Sequence, residues 1–509
     1  MGGSQKIADM EIIDSNQLEQ SQIKSDLCII GAGPAGITLA YALRDSGLQI
    51  VIAESGGKKF DRDLNELNRI EINSNFKYRD GESKRNRQIG GSAKLWVGRV
   101  VPFQFQDTLD QEWGLLRSEL ENYSDEALRL LGINPLIKSI SGHSNHELEA
   151  FWSQKTERFS CNSEMFSNIK DCRLFQHLTL IGQPDFQQDQ VRSFQFMNQQ
   201  NQVISVNARY FVFAMGGVEN SRMLLSYSNG LQNRMGAAVD RIGKYIMDHP
   251  RIWHGKLVPT KGALSPDKYQ IQYSPYGLYK IGIRNSPVSN RVYCNLMRDQ
   301  GRIEQWIQRL PIRRFAASSK KLIMREKGFG KLLVNEILHR WPQSQKSNFF
   351  RNVIDGFNKS SSSPYYLMLY CEQRPRPENR IQLLKETDRY GVPRVEMLNY
   401  LHAQELQEVL RFLQQLEKQF RDWNYTLKYE PQAILNSNHY TDASHVMGGT
   451  RYSTDKTKSV LNLDLSLIGV PNLHILGSSV FPTGGVENPT HLILCLSLYL
   501  AKELKTKIL

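Results

Sequence analysis

Cysteine is scarce in this chain, and none of its cysteines forms a C-x-x-C pair. The six are Cys28, Cys161, Cys172, Cys294, Cys371 and Cys495. Disulfide frameworks are typical of small secreted domains that are dense in cysteine, and zinc sites typically contain C-x-x-C pairs. The pattern therefore favours reduced thiols in a cytosolic protein and predicts no metal site.

Long apolar runs are also missing. No uninterrupted apolar stretch reaches the roughly 18 residues that a transmembrane helix requires. Residues 1–24 are polar and lack the apolar core of a signal peptide, and Lys6 stands where a myristoylation signal has Ser or Thr. The sequence therefore predicts a cytoplasmic protein without a membrane-spanning helix.

Acidic residues are scarce in one segment. The chain has a formal net charge of +13, and residues 301–351 hold twelve Lys or Arg against three Glu and no Asp. Apolar residues alternate there with basic ones in a helix-like pattern between Trp306 and Trp341. Two interpretations stay open: a helix pair in peripheral contact with a membrane, and a solvated face on a lid. No nucleic-acid-binding module accompanies the segment, so we expect no nucleic-acid partner.

The chain is long and apolar enough to fold around more than one core. It has 509 residues, of which 40% are hydrophobic. A single hydrophobic core rarely grows beyond about 250–300 residues. We therefore expect a globular protein of two domains.

A glycine turn follows the first apolar segment. Residues 26–54 read DLCIIGAGPAGITLAYALRDSGLQIVIAE, which predicts a strand, a glycine turn, a helix and a second strand. Gly31 allows the tight turn, Gly33 lets the backbone approach a pyrophosphate, and Gly36 lets the helix pack closely on the strand. The N-terminus of the helix offers free N–H groups to the phosphates. This arrangement predicts a dinucleotide-binding site.

The acid at the end of the second strand narrows the choice of dinucleotide. Glu54 follows Gly36 by 18 residues, close to the usual position of the residue that binds the ribose hydroxyls. A carboxylate there disfavours the 2′-phosphate of NADP. The glycine turn alone does not distinguish NAD from FAD as the bound dinucleotide.

Further motifs resemble those of the glucose-methanol-choline (GMC) oxidoreductases, which are FAD enzymes that oxidise alcohols. They are IGGSAKLWVGRVVPF (89–103), RYFVFAMGGVENSRMLLSYS (209–228), IGKYIMDHPRI (242–252), DASHVMGGTRYS (442–453) and SSVFPTGGVENPTHLIL (478–494). The resemblance covers most of the chain outside its middle third. It implies an α/β protein with a Rossmann-like FAD-binding domain and an α+β substrate domain built on a sheet.

The resemblance also implies domain boundaries. A polar tail at 1–24 is followed by the first part of the FAD-binding domain at 25–254. The substrate-binding domain occupies 255–431 and includes the basic insert 301–351. The second part of the FAD-binding domain, with the catalytic residues, occupies 432–509.

Two catalytic residues are implied by the resemblance. In the family a histidine and a histidine or asparagine flank the flavin N5, and the matching positions here are His445 and Asn488. A neutral imidazole is suited to take the proton of an alcohol near neutral pH, and an amide can bind the substrate oxygen without competing as a base. His439 lies six residues before His445 and is the alternative histidine, and His491 is a candidate to support Asn488.

The cofactor-binding residues implied by the same resemblance lie on the glycine loops, after the strands and at the last helix. They are Gly31, Gly33, Pro34, Ala35, Gly36, Glu54, Ser55, Gly91, Ser92, Trp96, Val97, Gly98, Ala214, Gly216, Ser479, Asn488, Pro489 and Thr490. Pro489 would begin a helix, where its missing N–H costs nothing. The N-terminus of that helix would stabilise negative charge on the reduced flavin.

The chain departs from the family at two positions of the second glycine loop. The GG-x-x-NPT variant of its last motif is most similar to the sugar-oxidising branch, in which a histidine before the loop tryptophan bonds covalently to FAD. Leu95 occupies that position here, so we expect FAD to be bound non-covalently. In those enzymes the residue after the loop tryptophan offers a side chain near the flavin N5. Val97 occupies that position here, which removes a polar contact and leaves open whether oxygen is the electron acceptor.

The middle third is predicted from its own pattern. SPYYLMLYCEQRP (363–375) predicts a strand, and residues 379–398 predict two strands around a Tyr-Gly turn. Residues 402–424 predict an amphipathic helix. Its apolar stripe is Leu406, Val409, Leu410, Leu413, Leu416 and Phe420.

Together these features predict an oxidoreductase that uses FAD to oxidise a CH–OH group of a sugar or glycoside, with His445 as the base. Two alternatives stay open at this stage. One is oxidation of a lipid or terpenoid alcohol at a membrane, which the basic insert favours. The other is a non-redox flavin lyase, because folds of this kind host more than one chemistry.

Overall fold

The structure is a computed structural model. It describes residues 10–78, 84–96, 98–106, 110–139, 147–153, 159–161, 163–264, 266, 269, 271–274, 277–285, 291–298 and 364–509. Val97 and the basic insert 301–351 lie outside these residues. The predictions made for them therefore stay predictions.

The described residues form twenty strands in three sheets. Numbered along the chain, the strands are β1 (Glu11–Asp14), β2 (Gln22–Ile30), β3 (Ile50–Ala53), β4 (Glu71–Ser74), β5 (Arg99–Val100), β6 (Glu147–Trp152), β7 (Cys172–Gln176), β8 (Thr179–Gln187), β9 (Gln190–Met197), β10 (Val203–Phe213), β11 (Arg251–Pro259), β12 (Ile271–Ser274), β13 (Gly277–Arg284), β14 (Val292–Arg298), β15 (Tyr365–Cys371), β16 (Arg380–Thr387), β17 (Pro393–Asn399), β18 (Tyr425–Lys428), β19 (Ser466–Leu467) and β20 (Val470–Ile475).

The α-helices among these residues are numbered in the same way. They are α1 (Pro34–Ala42), α2 (Arg62–Asn65), α3 (Leu115–Asn122), α4 (Ser124–Leu130), α5 (Glu164–Ser167), α6 (Gly217–Ser226), α7 (Ser228–Met235), α8 (Ala403–Arg421), α9 (Pro431–Ile434) and α10 (Pro489–Ile508). No helix of the described part of the chain is long and apolar enough to cross a bilayer.

The first sheet brings the two ends of the chain together. Its strand order is β1-β7-β3-β2-β10-β20-β19, with β8 and β9 beside β10. Neighbouring strands are parallel along the order β1-β7-β3-β2-β10-β20. Parallel neighbours need crossover connections, such as α1 between β2 and β3. The C-terminal helix α10 packs on α1. The last segment of the chain therefore lies beside the N-terminal glycine turn.

The second sheet is antiparallel and has the order β18-β11-β15-β14-β13-β6-β5, with β12 paired to β13. Helix α8 packs on β14, β15 and β18 through its apolar stripe, in which Leu413 and Phe420 are fully buried. The predicted helix at 402–424 and the predicted strand at 363–375 are thus confirmed. The predicted strand pair at 379–398 is confirmed as β16 and β17, which form the third sheet with β4.

Two segments differ from the predicted boundaries. Residues 11–14, which the sequence placed in a polar tail, form the edge strand β1, and β2 begins at Gln22 rather than after residue 24. Strands β5 and β6 were placed in the FAD-binding part but join the second sheet. In both cases the pairing partner is far away in sequence, so local pattern carries little signal for it.

Candidate active site

Two of the three glycines after β2 lie where no side chain fits, and the third faces open space. Gly31 has φ +109°, and a Cβ there would lie 2.6 Å from the carbonyl oxygen of Ala214. A Cβ at Gly36 would lie 2.2 Å from the carbonyl oxygen of Gly31. A Cβ at Gly33 would meet no atom within 4 Å. The turn is thus closed on two sides and open where a pyrophosphate can approach the N-terminus of α1.

The second glycine loop lies against this turn. The backbone N–H of Gly90 donates to the carbonyl of Ala32 at 2.8 Å. A Cβ at Gly91 would lie 3.1 Å from the Cα of Gly33. Two motifs that are about 55 residues apart in sequence therefore form one surface beside the end of β2.

Glu54 holds the first turn in place. Its Oε2 accepts a hydrogen bond from the N–H of Ala32 at 2.8 Å, and its Oε1 accepts one from the N–H of Gly56 at 2.8 Å. Oε1 also accepts from the hydroxyl of Ser55 at 3.4 Å, so the second lone pair of Oε2 is the one left for a ribose hydroxyl. Burial raises the pKa of Glu54, against the lowering effect of the two amide donors.

Asn220 joins two loops, and the sequence analysis did not single it out. Its Oδ1 accepts from the N–H of Met215 at 3.0 Å, and its Nδ2 donates to the carbonyl of Leu476 at 3.1 Å and to Oγ of Ser479 at 2.9 Å. Asn220 is fully buried. It therefore ties the loop after β10 to the loop after β20.

These loops fit a dinucleotide. Gly216 and Gly477 have φ +91° and +117°, and a Cβ at either would meet no atom within 4 Å. With Gly33 they give three open stretches of backbone at the carboxyl ends of parallel strands, which is where open α/β sheets bind ligands. The other predicted FAD-binding residues are among the described residues, apart from Val97, and their contact with the cofactor stays a prediction. These are Pro34, Ala35, Ser55, Ser92, Trp96, Gly98, Ala214, Pro489 and Thr490.

His445 lies in a loop whose backbone is fixed by a buried carboxylate. Oδ1 of Asp248 accepts from the N–H of His445 at 3.1 Å and from the N–H of Ala443 at 3.3 Å, and Oδ2 accepts from the hydroxyl of Tyr78 at 3.2 Å. Asp248 is fully buried, and burial together with the nearby Asp442 raises its pKa to about 6. The side chain of His445 itself is half-buried.

A second histidine sets the protonation of the first. Nε2 of His249 lies 3.1 Å from the carbonyl oxygen of Gly484, and its Nδ1 lies 3.0 Å from Nδ1 of His445. A carbonyl only accepts, so Nε2 of His249 carries the proton and its Nδ1 is an acceptor. Nδ1 of His445 must then donate. Nε2 of His445 is left with a lone pair, which is the atom that a general base uses.

The electrostatic surroundings keep both rings neutral. Burial lowers the pKa of His249 to about 4. Burial, the neighbouring His249 and the charges of Arg251, Arg99 and Lys84 hold the pKa of His445 well below its ordinary value. At pH 7 the pair is therefore uncharged, as the tautomer argument requires.

Asn488 is the N-cap of α10 but does not cap it with its side chain. Neither atom of its amide has a hydrogen-bond partner among the described residues, and its Oδ1 is buried. A buried amide without a partner is costly, which points to a ligand atom at this position. The bond from His249 to Gly484 connects the loop of Asn488 to that of His445.

A buried ion cluster supports the last loop from behind. Arg291 is 1% exposed; it pairs with Asp110, and its Nη1 donates to Oε1 of Glu372 at 2.7 Å. The same Oε1 accepts from the N–H of Gly485 at 2.9 Å. Glu487 is fully buried and one of its oxygens has no partner; burial raises its pKa to about 7 despite Arg291. The cluster therefore fixes the loop that presents Asn488.

The other histidines named from the sequence lie elsewhere in the structure. His439 is exposed at the end of a short 3₁₀ turn. His491 is buried, and its Nε2 lies 3.1 Å from the carbonyl oxygen of Ser124, so it holds α10 to α4. Among the described residues, no group of three His, Cys, Asp or Glu side chains is placed to hold a metal ion.

Comparison with known proteins gives one family match and several structural neighbours. Residues 375–497 match the family model described as GMC oxidoreductase. This part of the chain is similar to the GMC oxidoreductases. The family match together with the fold of the solved structures supports an FAD-dependent oxidoreductase with the α/β fold of GMC oxidoreductases. The resemblance stated from the sequence is confirmed at this level.

Solved structures show the fold along nearly the whole chain. A formate oxidase structure is 13% identical with a TM-score of 0.53, covering 96% of this chain and 99% of that chain. Pyridoxine 4-oxidase from Mesorbium loti is 14% identical with a TM-score of 0.54, covering 94% and 98%. A variant of Aspergillus oryzae RIB40 formate oxidase is 13% identical with a TM-score of 0.53, covering 95% and 98%. No curated protein matches by sequence.

Proposed function

We propose that this protein oxidises a CH–OH group of a sugar or glycoside, with FAD bound non-covalently and His445 as the general base. The observation that carries the proposal is the hydrogen-bonded chain from Gly484 through His249 to His445. It leaves the lone pair of His445 Nε2 available in a half-buried position. A neutral imidazole held in one tautomer is the group that an alcohol oxidation needs.

The residues act in defined ways. FAD, when bound, supplies the two-electron acceptor of the reaction. His445 takes the hydroxyl proton at Nε2 while its Nδ1–H stays bonded to His249. The amide nitrogen of Asn488 donates to the carbinol oxygen and orients it. The amide oxygen of Asn488 is buried and has no partner among the described residues. The ion cluster around Arg291 holds the loop of Asn488 rigid, so the two groups keep a fixed separation.

The choice of a sugar or glycoside rests on the GG-x-x-NPT form of the last motif and on the polar character of the second sheet beside it. Tyr293 and Asn295 are buried there with their polar atoms in a hydrogen-bonded group, and Tyr370 lies next to Tyr293. Hydroxyl and amide side chains suit a polyhydroxylated substrate, since each substrate hydroxyl needs a partner when it is buried.

The test is anaerobic reduction of the bound flavin by a panel of compounds, followed at the flavin absorbance maximum. Pyranoses and methyl glycosides should bleach the flavin, and long-chain alcohols should not. If only long-chain alcohols bleach the flavin, the proposed substrate changes from a sugar to a lipid alcohol. If no alcohol bleaches the flavin of a protein that holds a full complement of FAD, the proposed alcohol oxidation is contradicted. A non-redox reaction is then the remaining function.

A further inference from the structure

One face of the second sheet is turned toward the loop of Asn488 and is basic. Arg251 pairs in register with Tyr370, Tyr370 with Tyr293, and Tyr293 with Arg284. Side chains of directly opposed residues point to the same face of a sheet. Tyr293 packs with Val486 of the loop, and Tyr370 lies against the same group. This face, hereafter the substrate face, therefore presents arginines toward the active site.

Arg99 reaches the centre of the substrate face from the edge strand β5. Its Nη2 donates to the hydroxyl of Tyr293 at 2.9 Å and to Oδ1 of Asn295 at 3.5 Å. The Tyr293 hydroxyl donates to the same Oδ1 at 2.9 Å. Arg99 lies close enough to His445 for its charge to lower the pKa of that ring.

Asn295 has a donor group without an acceptor. It is 2% exposed, and its Nδ2 has no hydrogen-bond partner among the described residues. The orientation of the amide is determined, because a guanidinium and the bonded hydroxyl hydrogen both require Oδ1 on their side. A buried Nδ2 left unpaired costs free energy, so a ligand acceptor is expected there.

Two arginines near His445, Arg99 and Arg251, have no counter-ion in the part of the chain that the structure describes. Among the described residues no carboxylate pairs with Arg99 or Arg251; the side chain of Arg251 donates to Oγ1 of Thr441 at 3.3 Å. The third nearby cation, Lys84, is paired with Asp442 at 3.4 Å.

The remaining anions of the region are already engaged. Asp248 accepts backbone N–H groups of the His445 loop. Glu372 pairs with Arg291 behind the other loop. Glu487 accepts a hydrogen bond from the N–H of Val486 and is fully buried. Each of these groups therefore has a structural role, and none neutralises Arg99 or Arg251.

We propose that Arg99 and Asn295 form a subsite for an oxyanion, a carboxylate or a phosphate, carried by the alcohol substrate. Arg251 adds to the positive potential of this subsite. The inference rests on the proposed function and narrows it: the substrate is an anionic alcohol such as a sugar acid or a sugar phosphate. Donor groups from a guanidinium and an amide suit an oxyanion, since all of them donate and the ligand oxygen only accepts.

The bound anion would also assist the base. The cations around His445 oppose the positive charge that the ring gains when it takes the hydroxyl proton. An oxyanion at Arg99 offsets that charge at the moment of proton transfer. Anionic substrates should therefore gain in binding and in the rate of flavin reduction, whereas a neutral sugar gains neither.

The experiment compares matched substrates in stopped-flow anaerobic reduction of the FAD-loaded protein. The probes are glucose, glucuronate and glucose 6-phosphate, with wild type, Arg99→Gln and Asn295→Asp. Arg421→Gln, a change of an arginine that is 74% exposed on α8, is the matched control. In wild type and in the control, the ionised sugar should have an apparent Kd at least about tenfold below that of glucose, which is about 1.4 kcal/mol.

The variants decide whether the subsite produces that preference. Both Arg99→Gln and Asn295→Asp should reduce the ratio of the two Kd values toward one. A preference for glucuronate over glucose 6-phosphate identifies a carboxylate, and the reverse identifies a phosphate. Equal Kd values for charged and neutral sugars in wild type, or a preference that survives Arg99→Gln, would overturn the subsite and leave the proposed alcohol oxidation intact.

A second readout separates the subsite from the reaction. Acetate and inorganic phosphate are titrated into the oxidised protein, and the flavin absorbance spectrum is followed. If no alcohol reduces the flavin, a saturable spectral change that is lost in Arg99→Gln would still support the subsite, while the proposed function fails. Absence of any saturable change in wild type would overturn the subsite.

Discussion

Replacing Glu487 by Gln should stabilise the protein, and only above pH 4.5. Glu487 is fully buried beside Asn488; its Oε2 accepts from the N–H of Val486 at 2.8 Å, and its Oε1 has no partner. Gln has the same shape and can keep the bond to Val486. It carries no charge at any pH, so the substitution isolates the cost of ionising this carboxyl.

The magnitude follows from the pKa. Burial raises the pKa of Glu487 from 4.5 to about 7, and each pH unit of difference is worth about 1.4 kcal/mol. Below pH 4.5 the carboxyl is protonated in both states, so it affects stability little. Between pH 4.5 and 7 the unfolded chain releases the proton and the folded chain keeps it, so stability falls as pH rises. Above pH 7 the full cost, about 3 kcal/mol, is present.

The assay is urea unfolding of wild type and Glu487→Gln between pH 4.5 and 8. The difference in unfolding free energy should grow with pH and level off above 7. Glu121→Gln, a change of an exposed carboxyl on α3, is the matched control and should show no such trend. A difference between Glu487→Gln and wild type that does not vary with pH would refute the assigned environment of Glu487.

Three further predictions concern the flavin and its base. Acid precipitation should release all the flavin, because Leu95 cannot bond to it; flavin retained in the pellet would contradict this. His249→Phe should slow anaerobic flavin reduction by about 10²-fold, the effect of misplacing a catalytic group. His249→Asn keeps a hydrogen-bond acceptor for His445 and should slow the reduction less. Equal rates for the two variants would exclude a role of His249 in fixing the tautomer of His445. In a Glu487→Gln background, the rate of flavin reduction measured by stopped flow should stay constant from pH 8 down to 6.5 and fall only below pH 6.5. The reason is that the pKa of His445 is lowered and the neutral ring is the active form. A fall in rate centred at or above pH 6.5 would refute the assigned environment of His445.

The parts of the fold that were predictable depend on contacts close in sequence. The turn from Gly31 to Gly36 was predicted because its strand, glycines and helix are contiguous, and the close contact that excludes a Cβ at Gly36 is with Gly31 of the same turn. Helix α8 was predicted because an apolar stripe with a period of 3.6 residues is a local signal. The edge strand β1 was missed because Glu11–Asp14 is short and pairs with β7, more than 150 residues away.

The candidate site shows the same division. His445 and Asn488 were named because their motifs resemble those of a known family. His249 was present in the quoted segment 242–252, but its role depends on two contacts across 196 and 235 residues of chain. Arg99 was missed for the same reason, since its partner Tyr293 is 194 residues away and on another strand. Charge and hydrogen-bond complementarity between such distant residues leaves no pattern in a single sequence.

The most direct test of the account is the rate of anaerobic flavin reduction by a substrate in His445→Ala, compared with wild type and with His439→Ala. His445→Ala should keep its FAD and reduce it about 10²–10⁴-fold more slowly, the usual contribution of a general base. His439 is exposed, and its replacement should leave the rate unchanged. Reduction at the wild-type rate in His445→Ala, or a loss confined to His439→Ala, would contradict the assignment of His445 as the base.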